Sequence, residues 1–377
     1  MVTMPETAGY ALGVASSGML GRIPVRNLWL LMLYASDLYR AHGTRFVGIE
    51  ENPDDLADLV AELLIHAVEE RQRRQLSAGY RASEAVLNRV RGRIDVLTTE
   101  RQQLLARGSV ACRFEALTID TPRNRYVRGA LEYIARSVTS SRARRCAALA
   151  NYLKMAGVTG AVPTRAQMSA ERFRRNDQDD RLMVDAAKLA FDLALPTESA
   201  GSRAMPIPDR DATWVRKLFE KAVGGFYRIN LAEDGWCVRT GTIYQWRVTG
   251  KTEGIDDILP RMETDIILDH VPTRHRIVID TKFTSIVTKG RYREDVLKSG
   301  YVYQMYAYIF SQKGRGDPHA ESATGLLLHP SVNAHVDELA IIQDHAVRFG
   351  TVDLAAHPRE IKAQLLRFAD PKGYVIG

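Results

Sequence analysis

The stretch Thr264-Asp265-Ile266-Ile267-Leu268, a turn-like Asp269-His270-Val271-Pro272-Thr273-Arg274-His275 and the run Arg276-Ile277-Val278-Ile279-Asp280-Thr281-Lys282-Phe283 read together as a β-hairpin. Strand side chains alternate between faces, so Asp280 and Lys282 point one way while Ile277 and Ile279 point the other. A carboxylate and an ammonium thus share one face. If Leu268 pairs with Arg276, antiparallel register sets Asp265 opposite Ile279, or opposite Asp280 after a one-residue shift or bulge. Directly opposed Cβ atoms lie about 4.5–5.5 Å apart.

Two carboxylates at that spacing repel each other unless a cation joins them, and oxygen ligands suit a hard divalent ion such as magnesium, Mg²⁺. Lys282 beside them is placed to hold or activate the water that attacks a phosphodiester, while the ion polarises the phosphoryl oxygen. The competing reading is an ordinary surface hairpin carrying a lysine–aspartate pair. From Glu294 to Phe310, Leu297, Tyr301, Gln304, Met305 and Tyr308 follow helical steps, which stacks Gln304 and Tyr308 on one face. An apolar stripe has no need of Gln304. Glutamine and tyrosine can instead donate hydrogen bonds to a scissile phosphate or a neighbouring base and so position a DNA strand.

With 377 residues, 45% apolar and 26% charged, the chain is long enough for about two globular domains and is not of disordered composition. Lys and Arg outnumber Asp and Glu by 52 to 45, a net +7 that permits attraction to a polyanion. Cys112, Cys146 and Cys237 lie far apart without a C-x-x-C pair, which excludes a disulfide framework and a four-cysteine zinc site and points to the reducing cytoplasm. The longest apolar run, Leu28 to Ala35, has eight residues, well short of the roughly 20 that cross a bilayer. Residues 1–20 carry Glu6 and no basic segment ahead of their weakly apolar stretch, so they read as a disordered tail rather than a secretory signal.

Along the chain, Leu28 to Tyr34 is apolar on every side and reads as a buried helix. A second helical stretch opens at Asn52-Pro53, with Leu56, Leu59, Val60, Leu63, Leu64 and Val68 at three- and four-residue steps. His66 within it reads as a helix residue, not a ligand. Arg89, Arg91 and Arg93 alternate as on a strand, which would aim three guanidinium groups to one side, towards phosphates, an acidic partner or plain solvent. Phe114 to Pro122 reads as an extended piece turning into a helix, and helices are expected to about Leu195. Pro196 to Pro208 is poor in apolar residues and reads as the interdomain connection. Beyond it, Asp211 can cap a helix whose stripe is Trp214, Leu218, Phe219, Ala222, Val223 and Phe226, with Glu220 on its border. Gly250-Lys251-Thr252 is not a phosphate loop, because Gln245 holds the place of the first glycine that G-x-x-x-x-G-K-[ST] requires.

The order of a helix with Glu220, a strand with Asp265, the Asp280-Thr281-Lys282 strand and the Gln304-Met305-Tyr306-Ala307-Tyr308 helix resembles the PD-(D/E)XK nuclease fold, including the Q-x-x-x-Y element of its RecB-like members. Met262-Glu263-Thr264-Asp265-Ile266-Ile267-Leu268 and Ser299-Gly300-Tyr301-Val302-Tyr303-Gln304-Met305-Tyr306 look like the McrC nuclease subunits of McrBC-type modification-dependent restriction systems. So do Ile23-Pro24-Val25-Arg26-Asn27, Arg91-Gly92-Arg93-Ile94-Asp95 and Asp120-Thr121-Pro122-Arg123-Asn124-Arg125 in the front half. Thr281 and Phe283 depart from the commoner D-A-K-Y form, and Thr264 replaces the proline of the PD dipeptide; none of these changes removes a metal ligand.

The resemblance implies an α/β chain in which a mixed N-terminal domain rich in helices (residues 21–196) is followed by a linker (197–208) and a PD-(D/E)XK restriction-endonuclease-like domain (209–377). Asp265, Asp280 and Glu220 would ligate Mg²⁺, Lys282 would complete the catalytic set, and Gln304 and Tyr308 would orient double-stranded DNA. Asp256 and Asp257 are competing carboxylates, read as loop or cap residues after Gly254. The implied partner is a separate AAA+ GTPase of McrB type, docked on the front half with Arg89, Arg91 and Arg93 as candidate contacts. The alternative is a non-catalytic adaptor that stimulates the GTPase and only grips DNA.

Overall fold

The structure, a computed structural model, describes residues 23–46, 48–51, 56–173, 177–194, 204–205, 212–246, 248–282, 287–288, 296–297, 299–332 and 335–375. The expected tail at 1–20, the helix start at Asn52-Pro53, most of the linker at 197–208, Asp211, Phe283 and Glu294 lie outside them. The chain is α/β, as expected, and forms two compact units with bounds Met1–Asp54 plus Glu198–Gly377 and Asp55–Thr197.

The first unit is built on six strands: β1 (Trp236–Tyr244), β2 (Met262–His270), β3 (His275–Thr281), β4 (Thr324–Ser331), β5 (Asp337–Ile342) and β6 (His345–Asp353). Their order across the sheet is β5-β6-β4-β3-β2-β1. Strand β4 runs parallel to both neighbours, and the other pairings are antiparallel. Its longer helices are α1 (Val25–Tyr34), α2 (Ala212–Asn230), α3 (Ser299–Phe310) and α4 (Pro358–Ala369). Helix α3 lies in the crossover between parallel β3 and β4, the usual device for joining two parallel strands.

Both faces of the hairpin β2–β3 are covered, so its centre is an uninterrupted apolar run: Ile266, Ile267, Leu268, Ile277, Val278 and Ile279 are all buried. Met305, Tyr308 and Ile309 of α3 close over Ile267, Val278 and Leu327. Glycines let α2 approach closely: a Cβ on Gly224 would stand 2.9 Å from Thr240 Cγ2, and one on Gly225 would collide with the carbonyl oxygen of Tyr34 in α1.

That last contact corrects the expected domain plan. Helix α1, placed with the front half by the sequence, packs against α2 in the first unit. Asn27, fully buried, locks it there by donating to the carbonyls of Leu354 and Ala356, each at 2.8 Å.

The second unit combines helices Leu56–Arg73, Pro122–Ile134, Ser140–Met155, Arg165–Ala170 and Gln178–Ala194 with an antiparallel three-stranded sheet. In that sheet Val110–Thr118 is central, between Gly79–Leu87 and Arg93–Ile94. Thr121 caps the helix that Pro122 opens, Arg125 forks onto Asp120 at 2.8 and 2.9 Å, and Arg123 reaches Glu171, Asp177 and Asp180. The Asp120–Arg125 signature is therefore a structural lock.

The alternating strand expected at Arg89–Arg93 does not form. The strand ends at Leu87, and Gly92, at φ +68°, turns the chain where a Cβ would meet the carbonyl oxygen of Arg113 at 2.4 Å. Only Arg93 of the three is in a strand, paired with Arg113, while Arg91 stacks its guanidinium 4.2 Å from the Phe114 centroid. Asp95 caps the following short helix through Thr98 N–H and pairs with Arg113 at 2.9 Å.

At the turn end of the hairpin, Arg276 donates to Asp269 at 2.6 and 3.0 Å and to Asp317 at 2.8 Å; both Arg276 and Asp269 are buried. Replacing Arg276 by Met leaves the buried Asp269 carboxylate with Arg239 as its remaining cation and removes two charge-assisted hydrogen bonds, which is expected to cost about 2–3 kcal/mol of stability. All four tryptophans fall within the bounds of the first unit, so urea unfolding followed by tryptophan fluorescence reads this loss. A change below about 1 kcal/mol, the scale of a surface pair, would contradict it.

Candidate active site

The register of the hairpin decides the geometry. Leu268 pairs with Ile277 and Ile266 with Ile279, so the next step along both strands sets Asp265 beside Asp280. Of the two registers left open by the sequence, the shifted one is adopted. Thr281 anchors Asp265 by donating both its backbone N–H and its hydroxyl to Oδ2, each at 2.7 Å. On the other side of β3 the backbone N–H of Lys282 donates to the Leu328 carbonyl at 3.0 Å, extending the parallel ladder one residue past Thr281.

Asp280 is 1% exposed and Lys282 9%. Lys282 Nζ donates to Asp280 Oδ1 at 2.9 Å and stands 2.8 Å from Oδ2, to which it makes no well-directed bond. Oδ2 is thereby buried without a hydrogen-bond partner. Burial pushes the Asp280 carboxyl up to about 6; the nearby Lys282 ammonium opposes the rise, and Asp265 adds to it. Lys282 is also enclosed by Tyr301, whose ring centroid is 5.3 Å from Nζ. His329, buried and in ring contact with Tyr301, falls level with Lys282 one strand over.

These groups open into a cleft of about 260 Å³. Asp265, Asp280, Lys282, Glu220 and Gln304 all line it, so five of the six expected catalytic and DNA-positioning residues come together. Burial raises the Glu220 carboxyl above its ordinary range, and the charges of Asp265 and then Glu263 push the same way against the pull of Arg216. Gly241 of β1, at φ +62°, falls level with Asp265 of β2, where the absence of a side chain leaves the cleft open.

Tyr308 is the exception. It is buried, and its hydroxyl accepts from Gln304 Nε2 at 2.5 Å and donates to the Glu263 carbonyl at 2.7 Å. Burial moves its phenol up to about 12. Its hydroxyl thus ties Gln304 to the backbone of β2. Asp256 and Asp257 sit in a short helix after Gly254, outside the cleft lining, and Asp256 pairs with Lys251.

Two charged lining residues were missed by the sequence reading, although both carry a positional signal. Glu263 precedes Asp265 by two and so shares its strand face; Arg216 precedes Glu220 by four and so shares its helix face. The acidic side chains offer only oxygen donors, Asp280 Oδ2 among them without a well-directed hydrogen bond, and fit a hard cation such as Mg²⁺. Among the described residues, no three acidic, histidine or cysteine side chains converge closely enough to form a complete metal cage. Mg²⁺ typically takes only one or two protein carboxylates and fills the rest of its shell with water and phosphate oxygens. Among the described residues, no helix is long and apolar enough to cross a membrane.

A family model described as McrBC 5-methylcytosine restriction system component matches residues 15–319. Among solved structures, one similar chain belongs to a refined half-complex from a tetradecameric assembly of Thermococcus gammatolerans McrB AAA+ hexamers with bound McrC. The identity is 13% over 83% of this chain and 68% of that one, with a TM-score of 0.40. Another belongs to a cryo-EM structure of the Thermococcus gammatolerans McrBC complex, at 17% identity and a TM-score of 0.31; 47% of this chain is covered, and it spans about half (49%) of that one. No curated protein matches.

A carboxyl that is harder to ionise in the folded chain than in the unfolded one holds its proton more tightly when folded, so it makes stability fall as pH rises between the two values. For Asp280 that window runs from the ordinary 3.8 to about 6. Asp280→Asn removes the contribution. The stability of the natural chain relative to this variant should therefore decline across the window in urea titrations at stepped pH, and a constant difference would mean an ordinary surface carboxyl.

Proposed function

The chain belongs to the McrBC 5-methylcytosine restriction system component family, and on that premise we propose that the Asp265–Asp280–Lys282 cleft is the phosphodiester-hydrolysing centre of a McrC-like, PD-(D/E)XK nuclease subunit. The observation that carries this reading is the buried Asp280–Lys282 pair beside Asp265, with one Asp280 oxygen buried without a well-directed hydrogen bond. An apolar core would exclude such a pair unless something compensates for its desolvation.

Asp265 and Asp280, with Glu220 alongside, would hold Mg²⁺, which supplies polarisation of the phosphoryl oxygen and stabilises the leaving oxyanion. The chain's own groups do the rest. Lys282, held by Asp280 and Tyr301, orients the attacking water and offers a proton donor next to the scissile phosphate. Thr281 keeps one oxygen of Asp265 occupied, which directs the other towards the ion. The Gln304 amide, steadied by Tyr308, contacts the strand being cut. Its substrate is double-stranded DNA, and its setting the cytoplasm.

Cleavage in this reading is coupled to a separate AAA+ GTPase of McrB type. The chain's only resemblance to a phosphate loop is Gly250-Lys251-Thr252, where Lys251 is paired with Asp256, so nucleotide turnover is assigned to the partner. The docking surface is assigned to the second unit, whose sheet and the short helix Val96–Arg101 expose large apolar side chains: Tyr80 at 74%, Leu117 at 67% and Leu97 at 84%. Tyr80 and Leu117 are directly paired across the sheet. Exposed apolar patches of this kind mark protein interfaces.

Asp280→Ala and Lys282→Ala should each reduce cleavage of modified duplex DNA by about 10²-fold or more while leaving GTP turnover by the partner intact. Cleavage unchanged in both variants would leave only the adaptor role. Tyr80→Ala combined with Leu97→Asp should weaken co-purification with the GTPase and its stimulation by about tenfold or more, as loss of an interface anchor does. Full stimulation by this variant would move the docking surface elsewhere.

A further inference from the structure

Arg216 is the cation in the cleft that the proposed chemistry does not use. It sits one helical turn before Glu220 on α2, so both side chains reach the same cleft. The other cation there, Lys282, is engaged by Asp280. Arg216 is exposed and forms no hydrogen bond or ion pair with the described residues, although Glu220, Glu263, Asp265 and Asp280 line the same space.

Elsewhere in the chain, arginines close to carboxylates fork onto them: Arg276 on Asp269, Arg125 on Asp120, Arg348 on Asp337. A guanidinium that pairs with none of the described residues beside four acids keeps its N–H donors for something that enters from solvent. The entrant must be an anion that tolerates an acid-lined cleft, and a planar fork of donors matches the two non-bridging oxygens of a phosphodiester. Gly241 leaves room on the strand side of the cleft for a backbone to approach.

We propose that Arg216 is a phosphate-binding residue of the nuclease cleft, holding a non-bridging oxygen of a DNA phosphate and offsetting the repulsion of that strand by the surrounding carboxylates. The inference rests on the hydrolytic reading of the cleft for its choice of anion. Its test does not depend on cleavage.

Binding of the full chain to a short duplex of unrelated sequence is measured in EDTA over a series of salt concentrations. Each phosphate contact adds about 0.9 to the slope of log K against log salt on B-form DNA. Arg216→Gln should lower the slope by about that amount, and Arg216→Lys, which keeps the charge, should restore it. Lys217→Gln removes the same charge one residue away, outside the cleft lining, and should leave the slope unchanged. A slope unaffected by Arg216→Gln, or lowered equally by Lys217→Gln, overturns the assignment. Failure of the hydrolytic reading is seen separately, as cleavage with the partner GTPase that survives Asp280→Ala.

Discussion

The buried fork between Arg276 and Asp269 sets the register on which the rest of the first unit depends. The two residues are paired across the hairpin, and because side chains alternate along each strand, a slip of one position would send every side chain of one strand to the opposite face. With that end pinned, Ile267 meets Val278 and Asp265 arrives beside Asp280. The same register turns Ile266, Leu268, Ile277 and Ile279 to the other face, so core and cleft follow from one pairing.

The cleft shows why such a site must be held by a well-packed surround. Met305 and Tyr308 of α3 and Leu327 of β4 pack around the strand segment that carries Asp280, and their burial of it is what makes its carboxyl hard to ionise. A charge pair so enclosed gives little net stability, because desolvation offsets the Coulomb attraction. The neighbours therefore have to supply the rigidity: the double donation of Thr281 to Asp265, the ladder bond from Lys282 to Leu328, and the Gln304–Tyr308–Glu263 chain. Each ties a side chain of the cleft, or the backbone beside it, to a main-chain group of the sheet. The geometry is thus held by the chain's own contacts.

Several residues in the signature stretches of the front half make structural contacts. Asn27 ties α1 to the loop after β6, Gly92 turns the chain under Arg113, Asp95 caps a helix, and Asp120 holds Arg125. None contributes a side chain to the cleft. In the sequence, a polar or charged side chain in a motif looks the same whether it meets a substrate or a backbone carbonyl. What distinguishes these residues is that each is already engaged within the chain, Asn27, Asp95 and Asp120 by hydrogen bonds and Gly92 by a close backbone approach, whereas Arg216 makes no hydrogen bond or ion pair with the described residues.

The hairpin, the shared face of Asp280 and Lys282, the helix bearing Glu220 and the one bearing Gln304 were all legible in the amino-acid sequence, because each follows from a local period of two or 3.6 residues and from neighbours a few positions away. The sequence also fixed the absence of a phosphate loop, through the single position of Gln245. It could not choose between the two hairpin registers, show that Tyr308 turns inward, or place α1 with a sheet some two hundred residues later. It read Arg89 to Arg93 as a strand because alternation alone does not reveal that Gly92 is needed at positive φ. Those outcomes rest on contacts between distant segments, where one buried ion pair or one missing Cβ outweighs any local preference, and only the assembled tertiary structure decides them.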